Sequence, residues 1–357
     1  MRALVFDGPW ELTVADRPDP QPAPGEALLR IIATGICGSD IHGFTGQNGR
    51  RHPEQVMGHE TAAQVVAINP GDRQLPSDLV EGTVVTINPV LGCGACAVCL
   101  RGQPQRCANR RVIGVDPQIS AAMAEYMTAP LSNIVSLAEG LIPELGALVE
   151  PLSVGWHAVC RGAVGADDRV LIQGAGPIGQ AAALGARRAG AARIVVSEPD
   201  HRRRAVIAEM GFGVIDPTTV PAGKSLAGIQ EPFDVVIDGV GTSQTMETAL
   251  ISSALGARIV LVGMHTPHLE LPAYAISTAE RTILGSFCYQ PDEFAATAAW
   301  VGERGNALLP LVEGRVDLDG AAEAFRTLAD GSKAASKVLI FPHGVSVPTR
   351  TSTGAGR

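Results

Sequence analysis

The sequence predicts a two-part α/β protein: a β-rich, barrel-type first domain followed by a doubly wound parallel sheet. Three observations point there. Before residue 150, short apolar runs such as Ala27–Ile32, Ala63–Ile68 and Thr83–Ile87 are broken repeatedly by Gly and Pro, the pattern of short strands joined by turns. After Glu150-Pro151, strand-like runs alternate with helix-like stretches, as in a parallel sheet with crossover helices. Between one such strand and the next helix stands Gly174-Ala175-Gly176-Pro177-Ile178-Gly179, a turn that needs glycine at set positions.

Taken in order, Met1–Phe6 runs straight into a β-like segment without the long apolar stretch of a secretory leader. Ser153–Val164 reads as a helix, Arg169–Gln173 as a buried strand, Pro177–Gly190 as an alanine-rich helix and Arg193–Ser197 as a second strand. Phe233–Asp238 and Arg258–Val262 are further strands, with Thr245–Leu255 helical between them. Beyond Gly285 come helices near Asp292–Arg304 and Asp319–Asp330 and a strand at Ser336–Phe341. These fit poorly as further strand–helix units, so the chain is expected to return to its first domain. The expected division is 1–152 (with a cysteine lobe at 90–110), 153–287, a return over 288–343, and a Ser/Thr/Gly-rich, disordered tail at 344–357.

A chain of 357 residues with 46% hydrophobic and 18% charged residues suits about two compact domains. Its 36 acidic residues exceed 28 Lys+Arg, giving a net charge of −8. That balance argues against nucleic-acid or anionic membrane partners. No uninterrupted apolar run reaches the ~18 residues of a membrane span. Seven cysteines, four of them clustered, imply a reducing compartment, with the cytoplasm expected.

The cluster is Cys93, Cys96, Cys99 and Cys107, a C-x2-C-x2-C-x7-C spacing that can wrap one tetrahedral zinc. Alone it would suggest a zinc knuckle on nucleic acid, but the surroundings are acidic rather than basic. In the glycine-rich turn, Gly174 permits the tight bend, Gly176 lets a pyrophosphate approach the backbone, and Gly179 lets helix and strand pack closely. Pro177 and Ile178 open the helix whose N-terminus faces the phosphates. Glu198, at the end of the next strand, is placed to hold the adenosine ribose and to repel a 2′-phosphate, favouring NAD over NADP. Arg202-Arg203-Arg204 follow; Arg203 is a candidate to approach the nucleotide, while the plain reading is a solvated first helical turn. Asp238–Gly241 and Val262-Gly263 end strands and border the nicotinamide half. A second donor set comprises Cys37-Gly38-Ser39-Asp40-Ile41-His42, Gly58-His59-Glu60 and Glu150-Pro151-Leu152. Thiolate, imidazole and carboxylate together suit a zinc with one position left open for substrate.

These motifs together resemble the zinc-dependent medium-chain dehydrogenases/reductases, within them the polyol (sorbitol, butanediol) dehydrogenase branch. The resemblance covers residues 1–342 and is carried by CGSDIH, GHE, GCGACAVCLRGQPQRC, AEYM, EPLSVGWHA, GAGPIG and SEP. It implies a GroES-like catalytic domain split around a Rossmann domain, and a homo-oligomer, tetramer or dimer. It further implies a catalytic and a structural zinc, NAD as hydride carrier and a small alcohol or ketone as substrate. Residue by residue, it makes Cys37 and His59 catalytic zinc ligands. Glu60 and Glu150 would complete the shell directly or through water. Ser39 would take the alcohol proton, His42 would be an outer relay, and Asp40 would orient His59. Two segments depart from the branch, Gln47–Arg51 and Ile119–Ala122, and leave the substrate open. The alternatives are a primary-alcohol or aldehyde dehydrogenase on the same scaffold and a redox-silent cofactor-binding protein. Of the remaining residues, Cys160 and Cys288 read as small core residues and His157 as a packed histidine. Phe44 reads as either a pocket wall or packing.

Overall fold

The computed structural model describes all residues except 48, 73–76, 120, 222, 229–230, 332–335 and 346–357. Most of the expected tail at 344–357 therefore lies outside the described residues. A six-stranded, wholly parallel sheet runs in the order Gly213–Ile215, Arg193–Ser197, Arg169–Gln173, Phe233–Asp238, Ser253–Leu261, Thr282–Gly285. The order reverses between Arg169–Gln173 and Phe233–Asp238, the crevice where doubly wound sheets take ligands. The two central strands are apolar on both faces. Val170, Leu171, Ile172, Val235, Val236 and Ile237 are all fully buried, as a sheet covered by helices on both sides requires.

The other large sheet is of a different kind. Its longest strand, Glu26–Gly35, alternates: Ala27, Leu29, Ile31 and Ala33 are buried, and Leu28, Arg30 and Ile32 are half-buried. This is the period of two expected where one face is covered more than the other. Glu26–Gly35 pairs antiparallel with Glu60–Asn69 and Tyr126–Pro130. It also pairs with Lys337–Phe341, which lies parallel to Val312–Asp317. The last strands of the chain thus complete the sheet begun by the first. A smaller antiparallel sheet is formed by Arg2–Gly8 pairing with Glu11–Asp16 and Gln55–Val56.

The helix Val149–Arg161 joins the two sheets. It crosses Pro177–Arg188 so closely that a Cβ on Gly155 would lie 2.4 Å from the Ala181 carbonyl carbon. One hydrophobic cluster spans the junction, drawing on Leu148, Leu152, Ala181, Tyr289, Phe294, Trp300 and Leu339. Because a packed interior resists small displacements, the start of this helix, which carries Glu150, is held firmly between the two halves.

Candidate active site and metal centres

Two local structures deliver the donor set that contains Cys37 and Glu60. Cys37 caps the helix Gly38–Phe44, and its backbone N–H donates to Asp40 Oδ2 (3.3 Å). Ser39 and His42 lie three residues apart on this helix and share a face. Glu60 opens the strand Glu60–Asn69 opposite Gly35, and a Cβ on Gly35 would sit 1.9 Å from Glu60 Oε2. The missing side chain is what makes room for the carboxylate. Cys37, His59 and Glu60 each offer a ligand atom, and all three atoms lie within 4.8 Å of one another. Glu150 falls outside that set, and its Oε1 accepts a hydrogen bond from the Tyr289 hydroxyl (3.0 Å).

The electrostatics of this centre favour a cation. Burial disfavours a charged His59, yet Asp40, Cys37 and Glu150 outweigh it and raise the imidazole to about 10. Burial, with Glu60 adding to it against the pull of His59, pushes Glu150 up to about 7. Glu60 Oε2 is buried without a hydrogen-bond partner. A zinc ion held by thiolate, imidazole and carboxylate would satisfy all three demands, so the residues present fit the metal.

Asp40 was expected to orient His59. Its Oδ1 stands 3.7 Å from His59 Nδ1, beyond hydrogen-bond length. The reason is Arg51, which is equally buried and whose Nη2 donates to the same Asp40 oxygen (2.8 Å). Among the described residues, Lys337 is the other buried Lys or Arg. Its Nζ donates to Glu60 Oε1 (2.6 Å) and to the Ile36 carbonyl (3.2 Å). Burial disfavours the ammonium, but Glu60 and Cys37 hold it above its ordinary value. Lys337 also lines a small cavity, about 20 Å3, with Pro177 and Gln180 of the glycine-turn helix. The lysine therefore stands between Glu60 and the helix Pro177–Arg188.

The four-cysteine lobe forms its own centre. Its sulfurs all lie within 4.8 Å of one another, with Cys93 and Cys99 at 3.9 Å and Cys96 and Cys107 at 3.7 Å. Zn–S bonds of about 2.3 Å in a tetrahedron put sulfurs about 3.8 Å apart, so these spacings suit a metal. Backbone N–H groups of Ala95 and Cys96 pull the Cys93 thiol down to about 6.

At the glycine turn, Gly174 has φ +89°, and a Cβ there would lie 2.8 Å from Val240 Cγ2. A Cβ on Gly179 would lie 1.8 Å from the Gly174 carbonyl oxygen. In front of Gly176 nothing stands within 4 Å, which leaves the space a pyrophosphate needs. Glu198 is buried, accepting from Ala175 N–H (2.7 Å) and Asp200 N–H (2.9 Å), so it braces the loop from behind. Asp200 caps the helix His201–Glu209 and accepts from the Arg202 and Arg203 backbone N–H groups. Arg204 Nη2 pairs with Asp216 (2.7 Å). Val262 N–H donates to the Asp238 carbonyl (3.0 Å), placing Val262 beside the end of the neighbouring strand.

One open reading closes and one expectation changes. Phe44 is fully buried in edge contacts with Trp10 (5.3 Å) and Phe325 (5.4 Å), so it packs rather than lines a pocket. Cys160 is exposed rather than in the core. His157 is buried as expected, with Nδ1 2.7 Å from Glu293 Oε2. Sequence reading did not single out Tyr289, Lys337 or Arg51. Only Lys337 left a signal, a lysine opening the otherwise apolar strand Lys337–Phe341.

Comparison with known proteins gives independent findings. Residues 23–139 match the family model "alcohol dehydrogenase GroES-like domain", and residues 177–303 match "zinc-binding dehydrogenase". The chain is 31% identical over 311 residues to L-galactonate-5-dehydrogenase of Escherichia coli K12, covering 85% of this chain and 88% of that one. It is 33% identical over 281 residues to L-idonate 5-dehydrogenase of Vitis vinifera (76% and 75%). It is 34% identical over 252 residues to L-threonine 3-dehydrogenase of Pyrococcus horikoshii (69% and 70%). Among solved structures, it resembles a zinc-binding dehydrogenase from Sinorhizobium meliloti 1021 bound to NADP (TM-score 0.85, 28% identity, 96% of this chain and 99% of that one). It also resembles an alcohol dehydrogenase from E. coli CFT073 complexed with NADH (TM-score 0.86, 27% identity, 96% and 99%).

Proposed function

The chain belongs to the zinc-dependent medium-chain dehydrogenases, in their polyol branch, and from that premise we propose how its own residues carry out the reaction. It transfers hydride between NAD(H) and a secondary alcohol or its ketone, with a polyol, sugar alcohol or cyclitol as the substrate class. The observation that carries this is the convergence of Cys37, His59 and Glu60 on one buried point.

Cys37, His59 and Glu60 would hold the catalytic zinc, with Glu150 the further carboxylate that could complete its shell directly or through water. When bound, the zinc supplies a Lewis acid that makes a substrate hydroxyl acidic, and the nicotinamide supplies the hydride acceptor. Ser39 Oγ takes the hydroxyl proton and passes it to His42. Burial first, and then nearby His265, hold His42 below its ordinary value of 6.5, so the imidazole is neutral and able to accept. With the nicotinamide bound, the overall reaction would convert a secondary alcohol and NAD into a ketone, NADH and a proton. Lys337 Nζ donates to Glu60 Oε1 and fixes that carboxylate, and Tyr289 fixes Glu150 by its hydroxyl. Gly174, Gly176, Pro177, Ile178 and Gly179 receive the pyrophosphate, Val262 borders the nicotinamide, and Arg203 flanks the adenosine end.

NAD is preferred over NADP. Glu198 places a negative charge at the end of the second strand, and Arg202 and Arg204 are engaged by Asp200 and Asp216. A secondary rather than primary alcohol is favoured by Glu150 standing where a second thiolate would otherwise be available. A cytoplasmic location is supported by cysteines that are all free. Among the described residues, no helix is long and apolar enough to cross a membrane. Assembly as a homo-oligomer, tetramer or dimer, is supported by the parallel sheet's edge strand Thr282–Gly285. Near it stand Leu255 and Tyr274, 81% and 85% exposed. The test is a panel of sugar alcohols, cyclitols and simple primary alcohols with NAD and NADP, read as reduced-cofactor absorbance. Secondary polyols with NAD should lead; turnover confined to primary alcohols would overturn the reading.

A further inference from the structure

A fully buried carboxylate outside the catalytic donor set stands at the crevice of the parallel sheet. Asp238 ends the strand Phe233–Asp238, beside the strand that leads into the glycine turn. Burial pushes its carboxyl upward, against the pull of Thr245 and of the Val240 and Gly241 N–H groups. Among the described residues it forms no ion pair, whereas the buried Asp40 and Glu60 meet Arg51 and Lys337. A buried anion without a cation depends on the hydrogen-bond donors around it. Those donors all lie in the chain just beyond the strand. Oδ1 accepts from the Val240 N–H (2.9 Å) and the Gly241 N–H (3.1 Å), and Oδ2 from the Thr245 hydroxyl (2.7 Å). The Asp238 main-chain carbonyl accepts from the Val262 N–H (3.0 Å) and the Gly263 N–H (2.9 Å), which follow the neighbouring strand. One residue therefore ties down two loops.

The two loops meet backbone to backbone. A Cβ on Gly263 would lie 2.2 Å from the Val240 carbonyl carbon, and one on Gly241 would lie 2.3 Å from the Gly263 oxygen. The seam continues through the His265 N–H, which donates to the Val240 carbonyl (3.2 Å), and the Thr266 N–H, which donates to the Gly241 carbonyl (3.2 Å). On its other side the Gly239 N–H donates to the Gln173 carbonyl (3.0 Å), at the foot of the glycine turn. The position of this network gives it meaning. Strand order reverses between Arg169–Gln173 and Phe233–Asp238, and a dinucleotide spans such a switch point with its pyrophosphate at the glycine turn. Its adenosine half then runs toward Arg193–Ser197 and its nicotinamide half toward Phe233–Asp238 and Ser253–Leu261. The Asp238 network holds only the loops under the second half. For the sheet alone an apolar residue would serve, as Val235, Val236 and Ile237 do on the same strand. The carboxylate serves the loops.

Resting on the reading of this crevice as a dinucleotide site, we propose that Asp238 is a positioning residue for the nicotinamide half of the cofactor. It acts through the backbones of Val240, Gly241, Val262 and Gly263, which it holds in one shape before the cofactor arrives. The nicotinamide is then received without the cost of ordering two loops, and its ring is held in one place relative to the catalytic donor set. Hydrogen bonding does this, so a neutral side chain with an acceptor at the same position keeps most of the effect.

The test compares NADH with ADP-ribose, which keeps the adenosine and pyrophosphate but lacks the nicotinamide. Dissociation constants for both are measured by calorimetry on the zinc-replete wild type, Asp238→Leu and Asp238→Asn. Asp238→Leu leaves the Val240 and Gly241 N–H groups without their acceptor. It should weaken NADH about tenfold or more while changing ADP-ribose by less than about twofold. Asp238→Asn, whose amide oxygen still accepts from both N–H groups, should restore most of the loss. Amide exchange in the cofactor-free wild type supplies a measurement that needs no variant: residues 240, 241, 262 and 263 should exchange as slowly as the strand Phe233–Asp238. Unchanged NADH affinity in Asp238→Leu, an equal loss for NADH and ADP-ribose, no rescue by Asp238→Asn, or fast exchange of those amides would each overturn the proposal and leave the dinucleotide reading standing. A wild type that binds neither NADH nor ADP-ribose would bring down both.

Discussion

At the residue scale, the buried Lys337–Glu60 pair is the contact on which the catalytic donor set depends. Removing one member of a buried pair leaves a charge without water or partner, at a cost of about 3–5 kcal/mol, whereas removing both is far milder. In the protein stripped of its catalytic metal, Lys337→Met should therefore destabilise the fold by that amount, read as a fall in the urea midpoint. Adding Glu60→Gln to it should restore most of the loss. A single variant as stable as the wild type would show that the pair does not hold the site. His42 gives a second prediction at this scale. Its neutral form is the proton acceptor, so kcat/KM for alcohol oxidation should fall as pH drops through a value below 6.5 and the imidazole protonates. His265→Ala removes a like-charged neighbour and should move that acid limb upward; an unmoved limb would remove His42 from the relay. What the sequence disclosed at this scale follows from spacing. Cys37, His59 and Glu60 are legible because they sit within short motifs. Lys337 and Tyr289 come from the far end of the chain, and no local pattern ties them to residues 60 and 150.

At the scale of elements, the glycine turn is the part where backbone and function are least separable. A Cβ on Gly179 would drive into the Gly174 carbonyl. Gly179→Ala should therefore displace the loop and cost about 100-fold in kcat/KM for NAD, with the catalytic zinc retained. Near-normal NAD kinetics would contradict the assignment. The four-cysteine lobe should behave differently, because a structural metal contributes folding free energy rather than chemistry. Cys107→Ser should lose one zinc and lower the melting temperature by about 5 °C or more, with appreciable turnover at low temperature. A variant that keeps its melting temperature but loses catalysis would reverse the roles of the two centres. The strands Arg169–Gln173, Arg193–Ser197 and Phe233–Asp238 are readable to the residue because they are apolar runs between glycines and charges. The helix His201–Glu209 is legible only as a solvated first turn at Arg202–Arg204, because that run gives it no apolar stripe and only Ile207 is buried. The strand ending at Leu261 begins at Ser253, earlier than its apolar run suggests, since Gly256 interrupts the pattern.

At the scale of the whole molecule, the chain's course accounts for the site. The first sheet is completed by Val312–Asp317 and Lys337–Phe341, so the lysine beside Glu60 is supplied only after the parallel sheet has been laid down between them. Composition and motif order were enough to foresee a β-rich part and a doubly wound part. They could not give the contact between Lys337 and Glu60, whose partners stand 277 residues apart in sequence. The central claim is that two zinc ions occupy two separate centres and that one of them does the chemistry. The most direct measurement is zinc content per chain, taken with NAD-dependent alcohol oxidation, for the wild type and for Cys37→Ser. The account predicts two zinc ions falling to one, NADH binding retained and turnover abolished; one zinc in the wild type, or full turnover in the variant, would contradict it.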